Sequence, residues 1–339
     1  MPAPTKRCGL TLLSAVRLNK VRPHLFAFAL LLAVTALQLV SLGGDLGLAF
    51  SSGTVPHRIL FELRLPRLVV ALASGGLLAI LGASYQILLA NPLAEPYVLG
   101  VSSAVALAAA TAEVILGLGG LATMGTGVAG GMAAAALLVV FAGRTGPGAT
   151  ERIALFGMGL NFVLSSVLFL LLSWWQEQIG AGTLRWLFGQ VPWVGPREAW
   201  LAAVSAGLAL AVLVVSGRAL DAVALGDDVA RSLGFSAGRI RWGLVLVTSL
   251  ALALVTTMTG SIGFVGLVIP HFVRLVVKPR GSRALVLTSF LWGALFLAFA
   301  DGVSRRIAPP MEFPIGLITT LVGGPAFLWI LARRPRGLG

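Results

Sequence analysis

The sequence predicts an all-α polytopic membrane protein with about ten transmembrane helices per subunit. Three observations carry this. Hydrophobic residues make up 58% of the 339-residue chain and charged residues only 11%, against about 45–50% and about 25% in a soluble domain. The mean hydropathy is +0.96. Apolar runs of about 20 residues recur along the chain, long enough to cross a ~30 Å hydrocarbon core as helix. The runs are continuous rather than alternating, which argues against a transmembrane β-barrel.

Residues 1–23 hold Lys6, Arg7, Arg17, Lys20 and Arg22 and read as a cytoplasmic segment. No small-x-small cleavage pattern closes the apolar run that follows, so it reads as an uncleaved first span. Spans are expected at 24–42, 66–90, 97–116, 121–142, 153–175, 198–216, 240–258, 261–277, 284–303 and 314–332. Together they form a transmembrane domain over 24–332, with a cytoplasmic tail at 333–339. Pro66 marks a turn at the start of the second span. The prolines of "NPLAEP" (91–96) stop that span from running into the third, and Asn91 is suited to cap exposed backbone groups there. "GTLRWLFGQVPW" (182–193) reads as a short helix outside the bilayer after the fifth span. Small residues crowd stretches such as "ALASGGLLAILGAS" and "GVAGGMAAAALL", where they let helix backbones approach.

Basic residues set the expected orientation. With the N-terminus inside, eighteen of the 25 Lys and Arg fall in cytoplasmic segments and seven outside. Both termini are therefore expected in the cytoplasm, and the net charge of +13 reads as this bias rather than as nucleic-acid binding.

Several chemistries are missing from the sequence. Cys8 is the single cysteine, so the chain can form no internal disulfide. His24, His57 and His271 are far apart and show no metal-ligand spacing. Lys6, Lys20 and Lys278 follow Thr, Asn and Val, so there is no phosphate-binding GK[ST] loop. Among the acids, Glu113 and Asp301 lie near the outer ends of the third and ninth spans. An ion-coupled secondary transporter is the alternative reading, and it would be expected to keep an acid at mid-depth. Energy supplied by a separate partner needs a docking surface instead.

The cytoplasmic segment 217–239 offers one. Its core, "LGDDVARSLG" (225–234), reads as a short amphipathic helix. Leu225 and Gly226 lead in, Asp227 or Asp228 caps the N-terminus, and Gly234 ends it. Val229, Ala230 and Leu233 form a small apolar face suited to a groove on a soluble protein.

Three long stretches then carry a resemblance: "RLPRLVVALASGGLLAILGASYQILLANPLAEPYVLGVSSA" (64–104), "GSIGFVGLVIPHFVRLVV" (260–277) and "ADGVSRRIAPPMEFPIGLITTLVGGPAFLWIL" (300–331). They resemble the FecCD family of type II ABC importer permeases for iron–siderophores, haem and vitamin B12. The resemblance implies about ten helices per subunit, a homodimer, two cytosolic ABC ATPase subunits and a substrate-binding protein outside. It also implies the cytoplasmic (inner) membrane of a bacterium, no ATPase site or cofactor in this chain, and a bulky metal chelate as cargo. Ferric siderophore stands first, then haem and cobalamin.

The resemblance also implies site residues. Asp227, Asp228, Ala230, Arg231, Leu233 and Gly234 match the helix that couples to the ATPase. Arg64, Arg67 and Arg305 match arginines that dock the binding protein. Thr150 and Glu151 match the cytoplasmic gate, although Glu151 stands where a small hydroxyl residue is the usual pattern. Trp186 and Trp193 are expected at the mouth of the pathway. His271, after Pro270, reads as a packed rather than a ligating residue.

Overall fold

The computed structural model describes residue 29 and residues 54–142, 148–175, 181–307 and 311–332. The expected N-terminal segment, most of the first span and the tail at 333–339 lie outside the described residues. Among the described residues from 54 onward, twelve helices follow in chain order: α1 (Val55–Leu88), α2 (Val101–Val114), α3 (Leu121–Ala142), α4 (Ala149–Trp174), α5 (Ala181–Leu187), α6 (Pro196–Val215), α7 (Gly217–Ala224), α8 (Asp227–Ser232), α9 (Ala237–Thr259), α10 (Val265–Val276), α11 (Ser282–Ser304) and α12 (Ile315–Ala332). Six of them, α1, α3, α4, α6, α9 and α11, are long and apolar enough to cross a membrane.

Helix α1 is the axis of the bundle. It packs against α11 most extensively, and against α6, α9 and α10. Its most apolar window is 89% buried, whereas that of α4 is 11% buried. The composition explains the difference. Glycines on α1 remove the side chains that would hold neighbours apart. A Cβ on Gly75 would stand 2.3 Å from the Gly293 carbonyl oxygen of α11, and one on Gly82 would stand 1.9 Å from that of Gly266 on α10. Backbone meets backbone at both crossings, so no rotamer change can relieve a larger residue. Gly82→Val is therefore expected to destabilise the protein by at least the usual ~1–3 kcal/mol of overpacking. Gly207→Ala on α6, where nothing lies within 4 Å, should leave the thermal midpoint in detergent unchanged. Equal midpoints for the two variants would contradict the close crossing.

The structure departs from the expected spans in three places. Pro66 marks no turn: α1 starts eleven residues earlier, at Val55, and runs through it. A π-helical turn at Ile59–Arg64 absorbs the proline, with the Leu65 N–H donating back to the Leu60 carbonyl. The span expected at 261–277 shortens to the 12-residue α10, which rises only about 18 Å. Gly260 and Phe264 have positive φ (+68° each), so the chain unwinds between α9 and α10. Finally, the third expected span becomes a 3₁₀ turn, Pro96–Leu99, followed by the 14-residue α2.

The unwound segment is held by the connection after α1. The Phe264 N–H donates to Glu95 Oε1 at 2.5 Å, and the Ile262 N–H donates to the Tyr97 hydroxyl at 2.9 Å. Asn91 makes a local turn, its Oδ1 accepting from the Leu93 N–H at 2.9 Å. Glu95 thus satisfies a backbone donor at the start of α10, a role its position in the sequence does not reveal.

Candidate functional site

The polar residues gather at the two ends of α1. At the Arg67 end, Asp301 is fully buried near the C-terminus of α11. Arg67 is 2% exposed and donates to Asp301 Oδ1 from Nε (3.1 Å) and Nη2 (2.8 Å). Its Nη1 donates to Glu312 Oε1 at 3.1 Å. The Trp193 ring lies against the same guanidinium, 4.2 Å from centroid to Cζ, and its Nε1 donates to Glu312 at 3.1 Å. Arg305, one turn beyond Asp301, reaches Asp301 Oδ2 at 3.2 Å. Desolvation lowers the Arg305 pKa, and the Asp301 charge acts in the opposite direction. Two cations thus share one buried carboxylate, and a second carboxylate completes the charge balance.

This arrangement corrects one expectation. Arg67 is a buried ion-pair residue with its donors turned inward, so it offers no exposed guanidinium for docking. Arg64 and Arg305 are half-buried and Arg306 is exposed. The two tryptophans also separate. Trp193 belongs to the Arg67 cluster, while Trp186 donates to the Thr257 carbonyl (3.2 Å) and lines a cavity of about 690 Å³. That cavity also contains Glu113, Gln190 and Glu198.

At the Leu88 end, α7 and α8 form the charged segment. Asp221 on α7 accepts from both the backbone N–H and the hydroxyl of Ser282, each at 2.7 Å, and so caps α11. Helix α8 begins after Gly226 (φ +105°), with no side-chain cap on its first turn. Neither aspartate caps it, contrary to expectation. Asp228 pairs instead with Arg231 at 2.8 Å on the exposed surface, an interaction worth little in water. Asp227 pairs with Arg241 at 2.9 Å. Gly234 (φ +81°) ends the segment as expected.

The apolar face of α8 divides. Ala230 is fully buried, while Val229 is 40% and Leu233 57% exposed. Ala230 seats the helix on the bundle, and the two larger side chains face away from it. Helix α4 starts nearby, after Gly148 in a left-handed conformation. Thr150 lines a cavity of about 460 Å³ together with Asp227, Asp228, Arg231 and Arg241. Glu151 is exposed in the first turn of α4, where its charge suits the helix dipole. His271 is buried and packs edge-on to Phe327.

Sequence reasoning missed Arg241, Asp221, Glu95 and Glu312. Arg241 falls at the start of the span expected at 240–258, and nothing in its spacing from Asp227 indicates a pair. Among the described residues, no three of His, Cys, Asp and Glu gather to hold a metal ion.

Comparison with known proteins places this geometry in context. The sequence profile of the FecCD transport family matches residues 24–333. The chain is 37% identical to the vitamin B12 import system permease protein BtuC of Vibrio cholerae serotype O1, over 92% of this chain and 94% of that one. It is also 37% identical to the Fe(3+) dicitrate transport system permease protein FecD of Escherichia coli K12, over 84% and 88% of the two chains. Among solved structures, an inward-facing metal-chelate type ABC transporter aligns with a TM-score of 0.79 at 26% identity, covering 91% of this chain and 99% of its own.

Proposed function

The chain belongs to the FecCD transport family, and from that premise we propose that it is the membrane permease of an ATP-driven importer of metal chelates. The match over residues 24–333 carries the reading. The two polar ends of α1 support it. In this reading the Leu88 end is cytoplasmic, and α8 seats on an ATPase subunit through Val229 and Leu233, with Asp227, Asp228, Arg231 and Gly234 shaping its surface and Ala230 its base. The Arg67 end faces outward. There Arg305 and Arg64 meet acidic side chains of a substrate-binding protein, and Arg67 supports them from below.

Two copies complete the transporter. Helix α4 leaves Leu155, Phe162, Val163 and Phe169 exposed, an apolar face suited to a second copy and to lipid. The pathway follows the two-fold axis, with Thr150 and Glu151 near its cytoplasmic mouth and Trp186 near the outer one. ATP-driven closure of the ATPase pair moves the α8 helices and switches access. The membrane is the bacterial inner membrane, with both termini in the cytoplasm. The protein itself carries no ATPase chemistry.

The reading is tested in liposomes. The full chain is reconstituted with its ATPase and supplied with binding protein loaded with ferric hydroxamate, ferric dicitrate, haem or cobalamin in turn. Accumulation that requires both ATP and binding protein is the expected result, and the active cargo names the substrate. Uptake driven by a proton or sodium gradient without ATP would replace this reading with the ion-coupled one. Within the same assay, Arg305→Glu should weaken binding-protein affinity about tenfold at low salt, as loss of a close interfacial charge pair does. The deficit should shrink as added salt screens the charges. Unchanged affinity at low salt would remove Arg305 from the docking surface.

A further inference from the structure

Helix α8 is only six residues long and exposes most of its surface. A helix this short has little stability of its own, so it can transmit force only as far as its anchors allow. The structure contains a specific anchor. Arg241, on the second turn of α9, is 5% exposed. Its Nη2 and Nη1 donate to the two carboxylate oxygens of Asp227 at 2.9 and 3.4 Å. Its Nε donates to the carbonyl of Leu88 at 3.1 Å. One side chain thus joins the first residue of α8 to the last residue of α1.

The planar guanidinium suits this task. Its fork engages a carboxylate with two donors while a third points elsewhere, which a lysine cannot reproduce. The Leu88 carbonyl belongs to the final turn of α1, where backbone acceptors lack intrahelical partners and a cation is favoured. Asp221 supplies a second connection, from α7 to the N-terminus of α11. Both connections lead from the charged segment to the tightly crossed helices α1 and α11. On the side of α4 there is instead a cavity of about 460 Å³ reaching Gly148 and Thr150.

We propose that Arg241 is a positioning residue that locks α8 to the end of α1, so that a push on α8 moves the α1-centred bundle as one body against the start of α4. The asymmetry is physical. Among the described residues, the segment is hydrogen-bonded to α1, α9 and α11, and a cavity lies between it and Gly148 and Thr150 at the start of α4. Displacement of α8 therefore travels with the bundle, and the relative motion appears at Gly148–Thr150. This inference rests on the reading of α8 as the ATPase contact. Its structural half can be tested without that reading.

Two variants separate the bonds. Asp227→Asn keeps the side-chain volume and the Arg241–Leu88 bond but removes the ion pair. Arg241→Gln removes both. In the full chain carrying Cys8→Ser, spin labels at Ser232→Cys and Leu93→Cys report the position of α8 relative to the connection after α1. With labelled chain diluted into unlabelled chain to isolate the intrachain distance, a single narrow distance is expected with the native pair, and a broadened distribution in both variants. An equally narrow distribution in both would overturn the proposal. In the reconstituted complex, Arg241→Gln, which lies beneath the contact surface, should retain bound ATPase subunits while ATP-driven uptake falls about tenfold, a usual size for a coupling free energy. The double variant should fall no further than Arg241→Gln alone, because the residues act through one contact. Multiplicative losses would mean independent roles and would also overturn it. If the native complex shows no ATP-dependent uptake, the importer reading itself fails, and the label distances still decide whether Arg241 holds α8.

Discussion

Asp301→Ala is expected to lower stability by about 3–5 kcal/mol, the cost of leaving a buried partner charge uncompensated. Asp301 is fully buried and receives two donors of Arg67, which is itself 2% exposed. Removing the carboxylate leaves Arg67 with Glu312, which is 35% exposed, and leaves Arg305 without its acidic neighbour at 3.2 Å. Glu312 offsets part of the loss, so the lower end of the range is expected. Denaturation of the detergent-purified protein measures it. The double variant Arg67→Leu with Asp301→Leu provides the contrast. It removes the buried cation and the buried anion together and should cost less than Asp301→Ala, because apolar replacement of a whole buried pair is often neutral. A loss below about 1 kcal/mol for Asp301→Ala would indicate a hydrated cluster, since exposed pairs are worth that little.

The second large effect is on assembly. Leu233→Asp should weaken the ATPase complex by at least ~2 kcal/mol, the size of an interface hot spot, or roughly thirtyfold in affinity. Leu233 is 57% exposed and Ala230, on the inner side of the same turn, is fully buried. An aspartate at Leu233 therefore leaves the chain folded while placing a charge on the face proposed to enter an apolar groove. Co-purification with the ATPase should be lost while the thermal midpoint of the isolated permease stays the same. Normal co-purification and uptake would remove α8 from the coupling role. A lowered midpoint would mean that Leu233 packs within this chain.

These results separate two kinds of information in the chain. The apolar runs at 121–142, 284–303 and 314–332 matched helices within a residue or two, because burial in lipid or protein demands one continuous hydrophobic length. Gly234 could be identified as a terminator, since few other residues tolerate its backbone conformation. The family motifs were equally readable, being local strings. What could not be read was the partner of each charge. Arg67 and Asp301 are 234 positions apart, and an arginine beside an expected outer loop looks the same whether it faces solvent or a buried carboxylate. The same ambiguity hid Arg241, whose carboxylate lies on α8 and whose carbonyl lies on α1.

Composition and order along the chain by themselves determined that this protein is a helical membrane bundle, where several of its long helices run and which family it resembles. Those properties follow from hydrophobic length and local sequence. Tertiary structure alone decided that α1 is the axis, that α10 is a half-length helix, and that Arg67 is turned inward while Leu233 is turned outward. The physical reason is that a charge acquires its role from the group that desolvates or pairs it, and that group is brought near only when distant helices pack.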